Sequence, residues 1–366
     1  MKVKSQYFLR SGDFLISKRQ IVHGACGLVG NRLDGAIVSN EYHALRAKEG
    51  FDLEFLSRLV QLPYYLKSFL LSSIGVHIEK MLFKFDQWAK FEIPAPPLPE
   101  QKKIARILST VDRKLELIDQ QITATQTLKK GLMQKLFSEG VGTQDANGQW
   151  QPHAEFKDSE LGRIPAGWEV KTIAQSTEYV DYRGKTPPKS ESGIFLVTAK
   201  NIKKGFIDYE CSKEFVPVET YGDVMSRGKP DIGDVLITTE APLGNVAQVD
   251  NANVAIAQRV IKYRPNTGVD SSYLKQYFLS DTFQSRLALE STGTTVKGIK
   301  GSRLHKLLVL LPPQNEQIRI ASTFNLVETK LNHFLALKKQ TQQLKKGLMQ
   351  KLLTGQIRVQ PDPQDV

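Results

Sequence analysis

A nine-residue stretch, Leu128-Lys129-Lys130-Gly131-Leu132-Met133-Gln134-Lys135-Leu136, recurs letter for letter as Leu344 to Leu352, and no other feature constrains the fold as strongly. At the same offset, without a gap, Pro96-Pro97 pairs with Pro312-Pro313, Glu100-Gln101 with Glu316-Gln317, Ile104-Ala105 with Ile320-Ala321, Val111 with Val327, and Lys114-Leu115 with Lys330-Leu331. A repeat of this kind is one structural unit used twice. Apolar residues in each copy recur at alternating steps of four and three: Ile104, Leu108, Val111, Leu115, Ile118 and Ile122, then Ile320, Phe324, Val327, Leu331 and Phe334. That spacing is the seam of a long helix facing another helix. The double prolines exclude helix upstream, and Gly140 and Gly355 stand where a left-handed C-cap is wanted. About 38 residues at ~1.5 Å each make a rod of ~55 Å, longer than a domain of this size needs internally. The expectation is two helices packed on one another as an antiparallel coiled coil. Lysines on their outer faces (Lys102, Lys103, Lys129, Lys130, Lys345, Lys346) fit a solvated surface or phosphate contact equally well.

Between the helices the texture changes. From Trp168 to Leu311 the chain is rich in Gly, Pro, Thr, Val and Ile, with short apolar runs at Ile194 to Thr198, Asp234 to Thr238, Asn245 to Val249 and Val254 to Tyr263 separated by turn residues. This predicts a mainly β domain, with one helix over Ser271 to Ser291 from the helical spacing of Tyr273, Leu274, Tyr277, Phe278 and Leu287. Residues 141–160 are polar enough to be an exposed linker. The N-terminal 95 residues echo part of the same domain: Gly12-Asp13-Phe14-Leu15-Ile16 aligns with Gly233-Asp234-Val235-Leu236-Ile237, and Ala36-Ile37 with Ala255-Ile256. Before the Gly-Asp turn the second copy has everything from Gly167-Trp168 to Lys229, whereas the first has only Met1 to Ser11, so the first β domain is expected to be truncated. The expected fold class is α+β: a partial β domain (1–97), a long helix (98–140), the linker (141–160), a complete β domain (161–313), a second long helix (314–355) and a flexible tail (356–366).

Charge narrows the partners. Fifty Lys and Arg against 38 Asp and Glu give +12, and phosphate backbones are the commonest acidic partner because each neutralised phosphate releases counterions. No stretch approaches the ~18–20 apolar residues of a membrane span, and no signal-peptide core follows Met1, so a cytoplasmic protein is expected. Cys26 and Cys211 match neither a disulfide framework nor a zinc site. Catalytic motifs are missing: Gly222 to Lys229 has too many residues between its glycines for a phosphate loop, and Gln61-Leu62-Pro63-Tyr64 lacks the leading Asn or Asp of an adenine methylase. The six histidines show no metal-ligand spacing.

The order of half domain, long helix, full domain and long helix resembles the specificity subunit of type I restriction-modification enzymes. Carrying the resemblance are Ile164-Pro165-Ala166-Gly167-Trp168-Glu169-Val170, Arg183-Gly184-Lys185-Thr186-Pro187, Gly233-Asp234-Val235-Leu236-Ile237 and Leu311-Pro312-Pro313-Gln314-Asn315-Glu316-Gln317, with Pro96-Pro97-Leu98-Pro99-Glu100-Gln101 and the doubled Leu-Lys-Lys-Gly-Leu-Met-Gln-Lys-Leu. It implies that each β domain reads one half of a split sequence in double-stranded DNA and that the helices set the gap. It also implies docking to two modification subunits, which carry S-adenosylmethionine and methylate adenine, with restriction subunits joining for cleavage. The chain itself would then be non-catalytic and bind no cofactor. A decayed or partial subunit that binds methylase subunits without selecting DNA is the competing reading.

Groove-reading residues are sought among polar and basic side chains in the loops of the β domains, because a sheet can hold such loops in shape. In the complete domain the candidates are Arg183, Lys185 and Thr186, then Lys200, Asn201, Lys203 and Lys204, then Thr292, Thr294, Thr295, Lys297 and Lys300. Lys and Arg can hold phosphate or bond guanine, and Asn201 can bond adenine. For each the competing role is a solvated surface residue, and for Arg183, like Tyr182, a role in folding. In the partial domain Lys18, Arg19, Asn40, His77 and Lys80 occupy comparable places. Trp168 is expected as a core anchor where the second domain begins.

Overall fold

The repeated segments form two long helices, Leu98–Leu136 and Gln314–Leu353. Both start the same way, with the carbonyl of the second proline (Pro97, Pro313) accepting from the amides of the following Glu and Gln. Past their ends Gly140 and Gly355 have φ of 71° and 74°, the left-handed conformation that closes a helix. The computed structural model describes residues 6–93, 95–184, 186–293 and 295–362, and comprises two units, 1–123 with 333–366 and 124–332.

In the first unit the strands Cys26–Leu28, Phe14–Ser17 and Tyr42–Leu45 form an antiparallel sheet in that order. Phe14, Ile16, Phe69, Phe83 and Trp88 make one core. A second core joins Phe55 and Leu59 to Ile104 and Leu108 of the first long helix and to Leu352 and Leu353 of the second. The start of one helix therefore meets the end of the other, as the antiparallel expectation requires. Lys345 and Lys338 add ion pairs to Asp112 and Asp119, at 2.6 and 2.7 Å.

In the second unit a four-stranded antiparallel sheet runs Thr177–Asp181, Val260–Pro265, Val235–Thr239, Leu243–Gln248. A three-stranded sheet runs Phe215–Val216, Ile194–Val197, Val254–Ile256, and Glu169–Thr172 pairs with Leu308–Leu311. One core gathers Trp168, Ile173, Tyr263, Tyr273 and Tyr277 with Phe137, Ile320 and Phe324 from the helical segments, and Phe137 stacks on Phe324 at 5.4 Å. Here too the antiparallel sense holds, since Lys129 pairs with Glu328 at 2.8 Å. Of the seam residues, Ile104, Leu108, Ile118, Ile122, Ile320, Phe324 and Val327 are buried, whereas Val111, Leu115, Leu331 and Phe334 are half-buried. At each helix start the seam is thus shared with a β-domain core.

The repeat extends to individual hydrogen bonds. Gln101 accepts the Asp52 amide at 2.9 Å and donates to the carbonyls of Gly50 and Pro96; Gln317 accepts the Asp270 amide at 2.8 Å and donates to Gly268 and Pro312. Gly50 and Gly268 both have φ above 80°, which presents those carbonyls without strain. Asp13 is bridged by Arg46 as Asp234 is by Arg264, with Nε to Oδ1 at 2.9 and 2.8 Å. The neighbouring glutamates close the pattern. Glu316 is 1% exposed and accepts from the amides of Val141 and Gly142, just past the first helix, while Glu100 accepts from Arg358 and from the amide of Val359, just past the second.

Three expectations change. Residues 141–160, read as a linker, contain the short strand pair Thr143–Gln144 with Trp150–Gln151 and begin a second hairpin at Phe156, and His153 bonds Glu316 at 3.0 Å. Of the tail read as flexible (356–366), the described residues are held through Arg358, Val359 and Asp362, whose carboxylate meets Lys103, and 363–366 lie outside the described residues. The helix expected over 271–291 is two, Ser271–Leu279 and Asp281–Leu289, because the Ser280 hydroxyl accepts the Phe283 amide and caps the second.

Candidate nucleic-acid interface

In the second unit several loops converge on the end of the strand Val235–Thr239. The Thr239 amide and hydroxyl both donate to the Arg259 carbonyl, at 2.9 and 3.2 Å. The Ile299 amide donates to the Thr239 carbonyl at 3.0 Å, and Gly298 bridges to both Glu240 and Thr292. Thr292 and Gly298 exchange two backbone hydrogen bonds and close the 292–298 loop. Its turn depends on Gly293, with φ of 110°, where a Cβ would lie 2.2 Å from the Val296 carbonyl oxygen. Lys297 and Lys300 flank this stitched point, exposed and with no ion pair among the described residues. Beside it, Thr186, Lys200, Gln258 and Arg259 line a groove. Lys200 is likewise exposed and without an ion pair among the described residues.

Arg259 was not legible as a candidate. It has φ of 73°, a conformation rare outside glycine, so the fold holds a strained residue at the lip of the groove. Its guanidinium is half-exposed and pairs with Glu240 at 2.8 Å. The available signal was the polar Gln258-Arg259 pair interrupting an otherwise apolar run from Val254 to Ile261.

Other candidates are placed elsewhere or occupied. Asn201 is fully buried: its amide accepts from the Thr198 amide and hydroxyl and donates to the carbonyls of Asp208 and Ser212, so it shapes a loop and has no capacity left for a base. Lys203 and Lys204 sit on the following turn, which Gly205 fastens to the Val246 carbonyl, and neither lines the groove. Arg183 is committed to Asp181 through Nε and to the Ile299 carbonyl through Nη1, which makes it a brace for the interface loops. Burial would raise the Asp181 carboxyl, but hydrogen bonds from Arg183 outweigh it and hold the group below its usual range. Next to this pair His305 stacks on Tyr179 at 3.6 Å and bonds the Tyr263 hydroxyl at 2.9 Å, and burial holds its pKa below the usual value. Thr292 and Thr295 are exposed on the stitched loop. Lys185 and Thr294 lie outside the described residues.

In the first unit Lys18, Arg19 and Asn40 come together at the equivalent strand end. Lys18 donates to the Asn40 carbonyl and Arg19 pairs with Glu41 at 2.8 Å. His77 and Lys80 are exposed on the turn before Leu82–Phe83, the strand whose Phe83 amide bonds the Lys18 carbonyl. Among the described residues no group of His, Cys, Asp and Glu can hold a metal ion, and no helix is long and apolar enough to cross a membrane.

The sequence profile of the type I restriction modification DNA specificity domain matches residues 1–126 and 165–346. The specificity subunit of the type I restriction enzyme MjaVIII from Methanocaldococcus jannaschii is 31% identical over 300 residues, 77% of this chain and 65% of that one. The chain thus spans less than the full length of that relative. Among solved structures, the S subunit of a type I restriction-modification system from M. genitalium has a TM-score of 0.57 at 15% identity, covering 94% of this chain and 84% of that chain. A chain from a structural study of the assembly and conformational transition of the type I R-M system has a TM-score of 0.51 at 19% identity, covering 96% and 84%. These structures share the fold, with β regions separated by two long helices in contact.

Proposed function

Since this chain belongs to the type I restriction modification DNA specificity family, we propose that its second unit reads one part of a split sequence in double-stranded DNA through the loops gathered at the end of Val235–Thr239. As a specificity subunit it is the non-catalytic component that directs target recognition, and assembly within a type I complex follows from the family. We further propose that it docks two modification subunits, which hold S-adenosylmethionine, and that restriction subunits join them in the cytoplasm. The observation that carries the reading is the convergence of Lys200, Lys297 and Lys300, which have no ion pair among the described residues, with Gln258 and Arg259 on loops of residues 161–313, the proposed recognition domain. Cations there attract phosphate, and the Arg and Gln side chains suit guanine and adenine edges.

Adenine-methylation mapping in cells with and without this chain, together with the partner methylase, tests it. A split motif whose modification disappears when Arg259 and Gln258 are both changed to Ala supports the assignment; a motif unaffected by those changes and by loss of the lysines refutes it. In the first unit Lys18 and Arg19 already engage Asn40 and Glu41. This favours, for that unit alone, a second reading in which it contributes subunit docking and not base selection; an unsplit methylation motif would support it.

A further inference from the structure

We propose that Arg259 reads one guanine of the target through the two Nη groups of its guanidinium, and that Glu240 is the positioning residue that turns this guanidinium toward a base edge and away from phosphate. The inference rests on the second unit being a reader of duplex DNA, and adds the base, its edge and the residue that selects it.

The backbone comes first. Val254–Ile256 belongs to the three-stranded sheet and Val260–Pro265 to the four-stranded one, so Ala257-Gln258-Arg259 alone crosses between them. Both ends of the crossing are fastened: the Ala257 amide donates to the Val197 carbonyl at 2.9 Å, and the Arg259 carbonyl takes the Thr239 amide and hydroxyl. So short a crossing, pinned at both ends, forces a sharp turn. Arg259 takes it with φ of 73°, where glycine would sit without strain. Among the described residues the only other non-glycine with a positive φ is Ala241, at 44°, and it lines the same groove. A long charged side chain kept at a position suited to glycine, on a lip fixed from two sheets, points to a use for its head group.

Electrostatics then separates Arg259 from the lysines near it. Lys200, Lys297 and Lys300 have no ion pair among the described residues, as suits contacts to phosphate, where net charge sets the affinity. Arg259 instead faces Glu240, with Nε to Oε1 at 2.8 Å. A carboxylate on a DNA-facing lip repels phosphate and so weakens Arg259 as a phosphate clamp. What it supplies is orientation. With Nε turned to Glu240, and no hydrogen bond from Nη1 or Nη2 among the described residues, the guanidinium offers two parallel donors in one plane. Guanine is the base that presents two acceptors side by side in the major groove, O6 and N7; adenine sets a donor beside N7, thymine has one acceptor and cytosine a donor. Glu240 is itself held, since its backbone bridges to Gly298, where a Cβ would lie 3.4 Å from the Glu240 Cβ. Lys189 on the same groove is paired with Glu214 at 2.7 Å, but an ammonium has no planar fork with which to select a base.

A guanine scan tests this on the full chain assembled with its methylase. Each guanine of the mapped methylation motif, on either strand, is replaced in turn by 7-deazaguanine, which lacks the N7 acceptor and keeps base pairing and charge. At one position the replacement should weaken wild-type binding by at least about fivefold. That penalty should vanish in Arg259→Lys, which keeps the charge without the fork, and in Arg259→Gly, which suits the backbone and guards against misfolding. Glu240→Gln should shrink the penalty, whereas a merely structural Glu240 would lower binding to both duplexes alike. The inference is overturned if no guanine loses its penalty in both Arg259 variants, or if Glu240→Gln leaves the penalty unchanged. The broader reading fails separately: it falls if the salt dependence of binding is indifferent to Lys200, Lys297 and Lys300, whereas a salt dependence carried by those lysines with no guanine coupled to Arg259 overturns this inference alone.

Discussion

Replacing Lys200, Lys297 and Lys300 together by alanine isolates the electrostatic part of the proposed interface. All three are exposed and lack an ion-pair partner among the described residues, so removing them orphans no internal charge. Each phosphate neutralised on duplex DNA contributes about 0.9 to the slope of log K against log salt, so the triple variant should flatten that slope by about 2.7. At 0.1 M salt the same arithmetic gives an affinity loss of about 500-fold, shrinking to about 25-fold at 0.3 M. Arg183→Ala serves as the contrast, because its guanidinium is already held by Asp181 and Ile299. It should lower the melting temperature and leave the slope nearly intact. The assay is fluorescence anisotropy of a labelled target duplex from 0.05 to 0.4 M KCl, on the chain assembled with its methylase. A triple variant with normal stability and an unchanged slope would falsify the placement of phosphate contacts on this face.

Arg259→Ala should relax base preference at one position of the target with a small change in salt slope, and Glu240→Gln, which frees the guanidinium, should strengthen binding to non-target DNA; equal effects on target and random duplex would argue against a reading role. Glu316→Ala strips an acceptor from the buried donors of Val141, Gly142 and Trp168 and should cost about 3–5 kcal/mol, against about 1 kcal/mol or less for Glu100→Ala, whose partner Arg358 is largely exposed; urea titrations giving equal losses would refute the comparison. For pH, burial would raise Asp234 but Arg264 and Lys262 hold it low, and Asp181 is held low in the same way. As pH falls the unfolded chain takes up those protons first, so their stabilisation is complete above the ordinary carboxylate value of 3.8 and lost on acidification below it. His305 acts in the same direction at higher pH: burial keeps it neutral, so stability should begin to fall as pH drops through its ordinary value of 6.5. Urea midpoints from pH 7.5 to 3 for the wild type and His305→Gln would show this, and identical curves between pH 7 and 5 would rule out the histidine contribution.

The helices, their antiparallel sense and the shared Asp13 and Asp234 turns were legible because each rests on a local pattern repeated at a fixed offset. Positions decided by tertiary contacts were not. Asn201 has the chemistry of an adenine reader, but its amide is consumed by four hydrogen bonds with Thr198, Asp208 and Ser212 that no linear pattern displays. Ser280 interrupts a continuous helical periodicity, since a hydroxyl cap competes with apolar spacing and prevailed here. The polarity of 141–160 suggested solvent, yet a buried carboxylate, Glu316, needs donors and draws Val141, Gly142 and His153 onto itself. Arg259 escaped notice because a left-handed backbone at a non-glycine residue is imposed by the strands on either side.

The glutamine clasp at the start of each long helix has an evolutionary corollary. Gln101 and Gln317 grip their respective β regions through backbone carbonyls and one amide, so these bonds do not depend on which side chains the gripped residues carry. A fitting that ignores side-chain identity is a standard coupling: residues elsewhere in each β region can change without the joint having to be remade.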